Sequence, residues 1–260
     1  MTRTNTEVGT TMQAAVRASG VTKVYGTGET AVRALGGVDV DFARGEFTAI
    51  MGPSGSGKST LMHCLAGLDT VSAGRVFLGD TEVTGLGDGE LTELRRERIG
   101  FVFQAFNLLP VLSARANMML PMRLAGSTPS PQWMAEVVAK LGLTHRLDHL
   151  PHELSGGQQQ RVAVARALLP QPDVVFADEP TGNLDSHSGT EVLGLLRTCV
   201  RETSQTVVMV THDPVAASYA DRVVLIADGL IAGDILRPTV DSVIASMRAL
   251  GANDLAAVRR

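Results

Sequence analysis

The sequence predicts an α/β fold: a core sheet with fully buried parallel strands, an antiparallel β subdomain, and an inserted helical subdomain. Three observations predict it. Val174-Val175-Phe176-Ala177 is a run of four apolar residues ending in Asp178 and Glu179, the pattern of a strand covered on both faces. Alternating stretches such as Val38-Asp39-Val40-Asp41-Phe42, punctuated by Gly36-Gly37 and Gly45, read as antiparallel strands. Residues 105–170 change character, and Met134, Val137, Val138 and Leu141 recur at the spacing of an amphipathic helix.

Length and composition set the bounds. At 260 residues the chain is long enough for one large domain or two, and folding can bury roughly 70–75% of the unfolded surface. The formal net charge of -4, with both signs interspersed, gives no basic footprint for nucleic acid or an anionic membrane. Two cysteines, Cys64 and Cys199, point to a reducing compartment rather than a disulfide framework, and Cys64 reads as a small buried thiol. The N-terminus is polar and lacks the apolar core of a signal peptide. No apolar run approaches the ~20 residues that cross a bilayer. Membrane contact is therefore expected through a partner only.

Taken in order, residues 1–17 read as a flexible N-terminus and Ala18 to Tyr25 as a strand. Tyr25, just before a turn, is either an ordinary strand aromatic or a ring that stacks on adenine. Phe47 to Met51 continues the series of antiparallel strands and opens into Gly52-Pro53-Ser54-Gly55-Ser56-Gly57-Lys58-Ser59, followed by a helical run from Thr60 to Gly67. That string is a phosphate cradle. Its glycines allow a tight turn whose N–H groups, with a helix N-terminus, face phosphate oxygens. Lys58 adds a point charge, and the Ser59 hydroxyl can ligate Mg²⁺.

Gly74 to Asp80 reads as a strand and turn, and Gly85 to Arg98 as weakly helical. Ile99 to Phe103 is a buried strand ending in Gln104, whose amide oxygen can ligate Mg²⁺ or simply end the strand. Ala114 to Leu124 and Trp133 to Leu141 are helical, with a break at Gly126 to Pro131; Met118, Met119 and Met122 read either as core or as a docking face. Leu154-Ser155-Gly156-Gly157-Gln158 is a second turn at a helix start that can hold an anion, ahead of a helix from Val162 to Leu169. Asp178 can hold Mg²⁺ through water, and Glu179 can orient or deprotonate an attacking water. Pro180 to Asp185 turns away from the site. A helix from Glu191 to Glu202 and a strand from Thr206 to Thr211 lead to His212, structural or bonded to phosphate and attacking water. Val223 to Ala227 and Gly229 to Gly233 form a strand and hairpin, and Val240 to Arg260 a terminal helix pair.

In this order the motifs resemble the nucleotide-binding subunit of an ATP-binding cassette (ABC) transporter, across about residues 18–235. The resemblance implies a RecA-like P-loop NTPase core carrying the antiparallel β subdomain, with the helical subdomain at about 90–168 and a C-terminal amphipathic helical tail at 236–260. It implies MgATP as the cofactor, with Tyr25 on adenine, Gly52, Pro53, Ser54, Gly55, Ser56, Gly57, Lys58, Ser59 and Thr60 around the phosphates, and Ser59, Gln104 and Asp178 about the metal. It also implies a second copy as partner, so that Ser155, Gly156, Gly157 and Gln158 of one protomer meet the γ-phosphate held by Lys58 of the other, with Asp185 also in the nucleotide-binding set. Glu179, His212, Lys58 and Gln104 are then the catalytic set.

The longer strings Pro151 to Arg161 and Ala177 to Ser186, with Phe103 to Pro110, resemble the lipoprotein-release and macrolide-export (mechanotransmission) subgroup. The chain departs from it at Ala116, where members tend to carry an acidic residue before Asn117. The implied function is an ATPase that drives a separate integral-membrane permease (FtsX/macrolide-export-like) for export or extraction of a lipid, peptide or drug. It would sit peripherally on the cytoplasmic face of the cell membrane. The alternative from the same subgroup is a signalling ATPase of a cell-division-type complex that regulates a cell-wall enzyme. A soluble ABC protein acting on DNA or ribosomes would need a basic surface or a long heptad insertion, and neither is present.

Overall fold

Five strands of five or six residues, buried almost throughout, stack side by side to make the centre of the molecule. The computed structural model describes residues 13–258, with side chains as far as Gly251. In chain order the elements are β1 (Ala14–Tyr25), β2 (Val32–Ala43), β3 (Phe47–Met51), α1 (Lys58–Leu65), β4 (Ala73–Leu78), β5 (Thr81–Glu82), α2 (Asp88–Arg98), β6 (Ile99–Phe103), α3 (Ala114–Leu124), α4 (Pro131–Lys140), α5 (Gly156–Leu168), β7 (Val174–Asp178), α6 (Ser186–Thr203), β8 (Thr206–Val210), α7 (Pro214–Ala217), β9 (Arg222–Ala227), β10 (Leu230–Leu236) and α8 (Val240–Val258). They form a six-stranded sheet of order β10-β9-β3-β8-β7-β6 and a four-stranded antiparallel sheet of order β2-β1-β4-β5. Strands β9, β3, β8, β7 and β6 are mutually parallel, and β10 returns antiparallel on β9.

The period-two alternation of the parallel strands divides the interior into two cores. Phe47, Ala49 and Met51 of β3, Val175 and Ala177 of β7 and Val207 and Met209 of β8 face a core closed by α3 to α8. Ile50, Val174, Phe176, Val208 and Val210 face a second core with Leu61, Met62 and Leu65 of α1 and the antiparallel sheet. The antiparallel β subdomain and the α/β core are therefore as the sequence predicts.

Several boundaries differ from the sequence expectation, for physical reasons. Residues 1–12 of the expected flexible segment lie outside the described residues, while Ala14 to Arg17 already belong to β1, where Ala15 and Val16 are buried against β2 and β4. β3, grouped with the antiparallel strands by its sequence, is a parallel strand between β8 and β9, because all five of its residues are buried. The helical region at about 90–168 is interrupted by β6, which pairs with β7 in the larger sheet. The tail forms one helix rather than a pair; Val243 is buried in the first core and Met247 and Leu250 pack beside it. Met118 is fully buried and Met122 packs against the core, so packing accounts for both.

Helix starts are set by local chemistry. Ser113, Ser130, Ser155 and Asp185 cap α3, α4, α5 and α6 through their side-chain oxygens. At α3 the Ser113 hydroxyl accepts from Ala116 N–H, so residue 116 occupies the third helical position. An acidic residue there would complete a reciprocal capping box, which gives the departure at Ala116 a helix-stability meaning in this chain.

Candidate functional site

The carboxyl ends of β3, β8, β7 and β6 lie next to one another, and each delivers a residue singled out from the sequence. The 52–59 loop leaves β3, His212 follows β8, Asp178 ends β7 with Glu179 after it, and Gln104 follows β6. Ligands of open parallel sheets bind at this end.

The loop conformation depends on two glycines. A Cβ on Gly52 would stand 1.9 Å from the Ile226 carbonyl oxygen, and one on Gly57 would stand 2.5 Å from that of Ala34, where the backbone φ is +100°. Gly57 caps α1, so Lys58 and Ser59 occupy the first turn with their N–H groups unspent on the helix. Lys58 Nζ donates to the Gly52 and Pro53 carbonyls at 3.0 and 2.7 Å. Burial pushes its pKa down, against the opposing charges of Glu179 and Asp178. Pro53 and Thr60 are half-buried while Ser54, Gly55 and Ser59 are exposed. Ser56 is buried, and its hydroxyl has no hydrogen-bond partner among the described residues.

Glu179 adopts a left-handed backbone, φ +47°, with its N–H donating to Val210 O. That conformation costs a non-glycine residue about 1–2 kcal/mol, and it sets the side chain beside β8. Glu179 Oε1 lies 2.7 Å from His212 Nδ1, and Oε2 accepts from Thr211 Oγ1 at 3.3 Å. The glutamate side chain is 20% exposed and the imidazole 75%. A mostly covered carboxylate oriented by an open imidazole suits a group that holds water against an incoming ligand. Burial raises the pKa of Asp178, opposed by the charge of His63 on α1, while the Glu179 charge adds to the rise.

Among the described residues no group of three or more His, Cys, Asp or Glu is placed to hold a metal ion. One desolvated carboxylate, a hydroxyl and a carboxamide make an oxygen-only set. That suits Mg²⁺, which keeps waters and takes its remaining ligands from substrate phosphates.

Tyr25, 42% exposed, ends β1 with its hydroxyl donating to Asp69 Oδ2 at 2.6 Å. Lys23, 7% exposed, donates to Asp69 Oδ1 at 2.6 Å and to Thr70 O at 2.5 Å. Asp69 and Lys23 were not legible as site residues, since each lies more than forty residues from its partner in the chain. Cys64, close by on α1, has its thiol pushed up to about 11 by burial, in keeping with an inert thiol.

The second cradle is built at the start of α5, on a different element from the first. Ser155 caps α5 and exchanges hydrogen bonds with Gln158. A Cβ at Gly156 would meet Leu184 and Phe106, and the atoms nearest one at Gly157 belong to Ser188, none of them in the 52–59 loop. Asp185 caps α6, and the backbone N–H of Ser188 holds its carboxyl below the usual range. The 180–185 turn, expected to lead away from the site, instead folds onto Gln104, which bonds Asn183. Phe106 and Asn107, both left-handed, have their carbonyls held by Arg166 of α5.

Residues 35–182 match the family described as ABC transporter. The macrolide export ATP-binding/permease protein MacB of Marinobacter nauticus is 48% identical over 216 residues, covering 82% of this chain and 33% of that protein. The lipoprotein-releasing system ATP-binding protein LolD of Geobacter metallireducens is 46% identical over 216 residues, covering 82% of this chain and 96% of that protein. The chain thus spans about a third of the length of the MacB relatives it matches. Among solved structures, the dimeric bacterial ABC transporter cassette MJ0796 aligns with a TM-score of 0.77 at 40% identity, covering 86% of this chain and 99% of that one.

Proposed function

The chain belongs to the ABC transporter family and is an ATPase of that family, and on this premise we propose that it dimerises around two MgATP and drives a membrane permease for export or extraction. The observation that carries the reading is the meeting of the 52–59 loop, Asp178, Glu179, His212 and Gln104 at neighbouring strand ends. ATP lies with its phosphates on the loop N–H groups and Lys58, whose ammonium leaves the Gly52 and Pro53 carbonyls to meet them. Tyr25 stacks on adenine. Ser59, Gln104 and Asp178 hold Mg²⁺, which supplies charge neutralisation on the phosphates. Glu179 orients the attacking water and takes its proton, while His212 orients Glu179 and, with Lys58, stabilises charge on the transferring phosphoryl group.

A second copy is supported by the second cradle making no hydrogen bond to the 52–59 loop of its own chain: Ser155 to Gln158, with Asp185 nearby, is open to meet the phosphates held by a partner's loop. MJ0796, similar over most of its length, is described as dimeric. For the permease, the supporting feature is a mostly apolar groove of about 670 Å³ lined by Phe101, Phe103, Leu120, Pro121 and Leu124. Asn107 and Arg166 also border it, so an occupant would touch the segment that follows Gln104. Among the described residues no helix is long and apolar enough to cross a membrane; in this reading the ATPase acts peripherally, on the cytoplasmic face, through that partner. The relatives' names, macrolide export, bacitracin export and lipoprotein release, favour movement of a substrate over signalling.

Glu179→Gln tests the catalytic core. The variant is expected to bind MgATP and dimerise, with turnover reduced about 10²–10⁴-fold. Near-normal turnover would remove Glu179 from its role.

A further inference from the structure

We propose that Asn183, together with Gly182, is a positioning residue that decides which end of the Gln104 carboxamide is offered to the metal. The inference rests on the reading of Gln104 as a Mg²⁺ ligand. A carboxamide has one end that can ligate a cation, its oxygen, and one that repels it, its NH₂. Left to solvent, the two ends exchange by rotation about a single torsion.

Here the choice is settled by a chain of complementary bonds that begins at the backbone. The Gln104 carbonyl can only accept, and Asn183 reaches it at 3.1 Å, so Asn183 must present Nδ2 to it. Its Oδ1 is then the atom left facing the Gln104 side chain. Gln104 therefore presents Nε2, which donates to that oxygen at 3.1 Å. With Nε2 committed, Oε1 is turned to the opposite side, and no described residue donates to it.

Gly182 provides the seat. A Cβ at that position would stand 2.7 Å from Gln104 Nε2, 3.0 Å from Cδ and 3.2 Å from Cγ, so the carboxamide lies directly over the glycine. The two segments are also held in register from below. Gln160, fully buried on α5, donates through Nε2 to Phe103 O at 3.2 Å and to Pro180 O at 2.5 Å. One side chain thus staples the residue before Gln104 to the start of the turn that carries Asn183. Neither Gly182 nor Asn183 hydrogen-bonds to the 52–59 loop in this arrangement; they act through Gln104.

The test separates metal from nucleotide. Affinity for a non-hydrolysable ATP analogue is measured with excess Mg²⁺ and again with EDTA, and the ratio of the two is the gain due to metal. Gln104→Ala is the reference and should abolish most of the Gln104 share of that gain. Asn183→Ala, which removes the acceptor, and Gly182→Ala, which displaces the carboxamide by a different route, should each cut the gain about three- to ten-fold, the worth of roughly one hydrogen bond. Affinity in EDTA should stay within about two-fold of the parent for all three, a split that general damage to the fold would not produce. Melting temperatures identify any variant that does not fold, and the second variant then carries the test. If Gln104→Ala lowers the gain while Asn183→Ala and Gly182→Ala leave it intact, the positioning role is refuted and the ligand role stands. If Gln104→Ala leaves the gain intact, the ligand role fails and the positioning role falls with it.

Discussion

Asp69→Ala should weaken both the fold and nucleotide binding, by amounts that follow from its two partners. Its carboxylate accepts from Lys23 and from Tyr25, each at 2.6 Å, and Lys23 is 7% exposed. Removing one partner of a buried ion pair costs about 3–5 kcal/mol. Asp69 keeps 28% of its side-chain surface in water and Lys23 keeps its bond to Thr70 O, so a loss of about 2–3 kcal/mol is expected. At this length that corresponds to a fall of roughly 4–6 °C in Tm. The Tyr25 hydroxyl loses its acceptor as well, and a ring free to rotate should weaken ATP binding by about two- to ten-fold.

Acidity offers an independent check on the same pair. Burial would raise the pKa of Asp69, but the hydrogen bonds from Lys23 and Tyr25 outweigh it and hold the group below its ordinary value. Its contribution is therefore present above about pH 4, the unfolded carboxylate value, and is lost as pH falls through the lowered folded value. Burial would lower the pKa of Lys23, but the hydrogen bond and charge of Asp69 outweigh it and raise the group. That contribution is complete below about pH 10.4 and is lost as pH rises through the raised value. The stability gap between parent and Asp69→Ala should accordingly be widest between these limits and close on the acid side. Thermal unfolding from pH 3 to 9, with nucleotide titration at pH 7.5, measures both effects. A variant that melts within about 1 °C of the parent and binds ATP equally would refute the reasoning.

Two further outcomes concern the start of α3. Asn117 is fully buried and makes four hydrogen bonds, accepting from Leu109 N and donating to the carbonyls of Leu109, Leu112 and Ser113. Asn117→Ala should cost about 2–4 kcal/mol in urea unfolding, since several part-buried backbone groups lose their partner together; a loss under about 1 kcal/mol would contradict this. Ala116→Glu should stabilise by about 0.5–1 kcal/mol by closing the capping box with Ser113, and no gain at low salt would refute the assigned role of that position.

What could be read in the sequence was whatever depends on neighbours in the chain. The 52–59 loop announces itself because Gly52 and Gly57 are forced by close backbone approaches, and the Ser155 turn because a serine and a glutamine three residues apart cap a helix. Partners distant in the chain left no such mark. β3 reads as one more alternating strand until Phe47 pairs with Val207 and Thr48 with Arg222, both more than 150 residues away. The bond between Gln104 and Asn183 spans 79 residues, and that between Tyr25 and Asp69 spans 44. The tail from Val240, expected as a helix pair, is one helix with Gly251 inside it, as helix interiors accept a glycine at about 1 kcal/mol.

β3 sends Phe47, Ala49 and Met51 into one core and Ile50 into the other, and the chain passes from Met51 straight into Gly52. The loop is thus anchored on a strand gripped from both sides, so a volume change in either half of the interior is transmitted to its first residue. Engineering this protein for heat resistance and tuning its grip on nucleotide are, as a result, a single design problem.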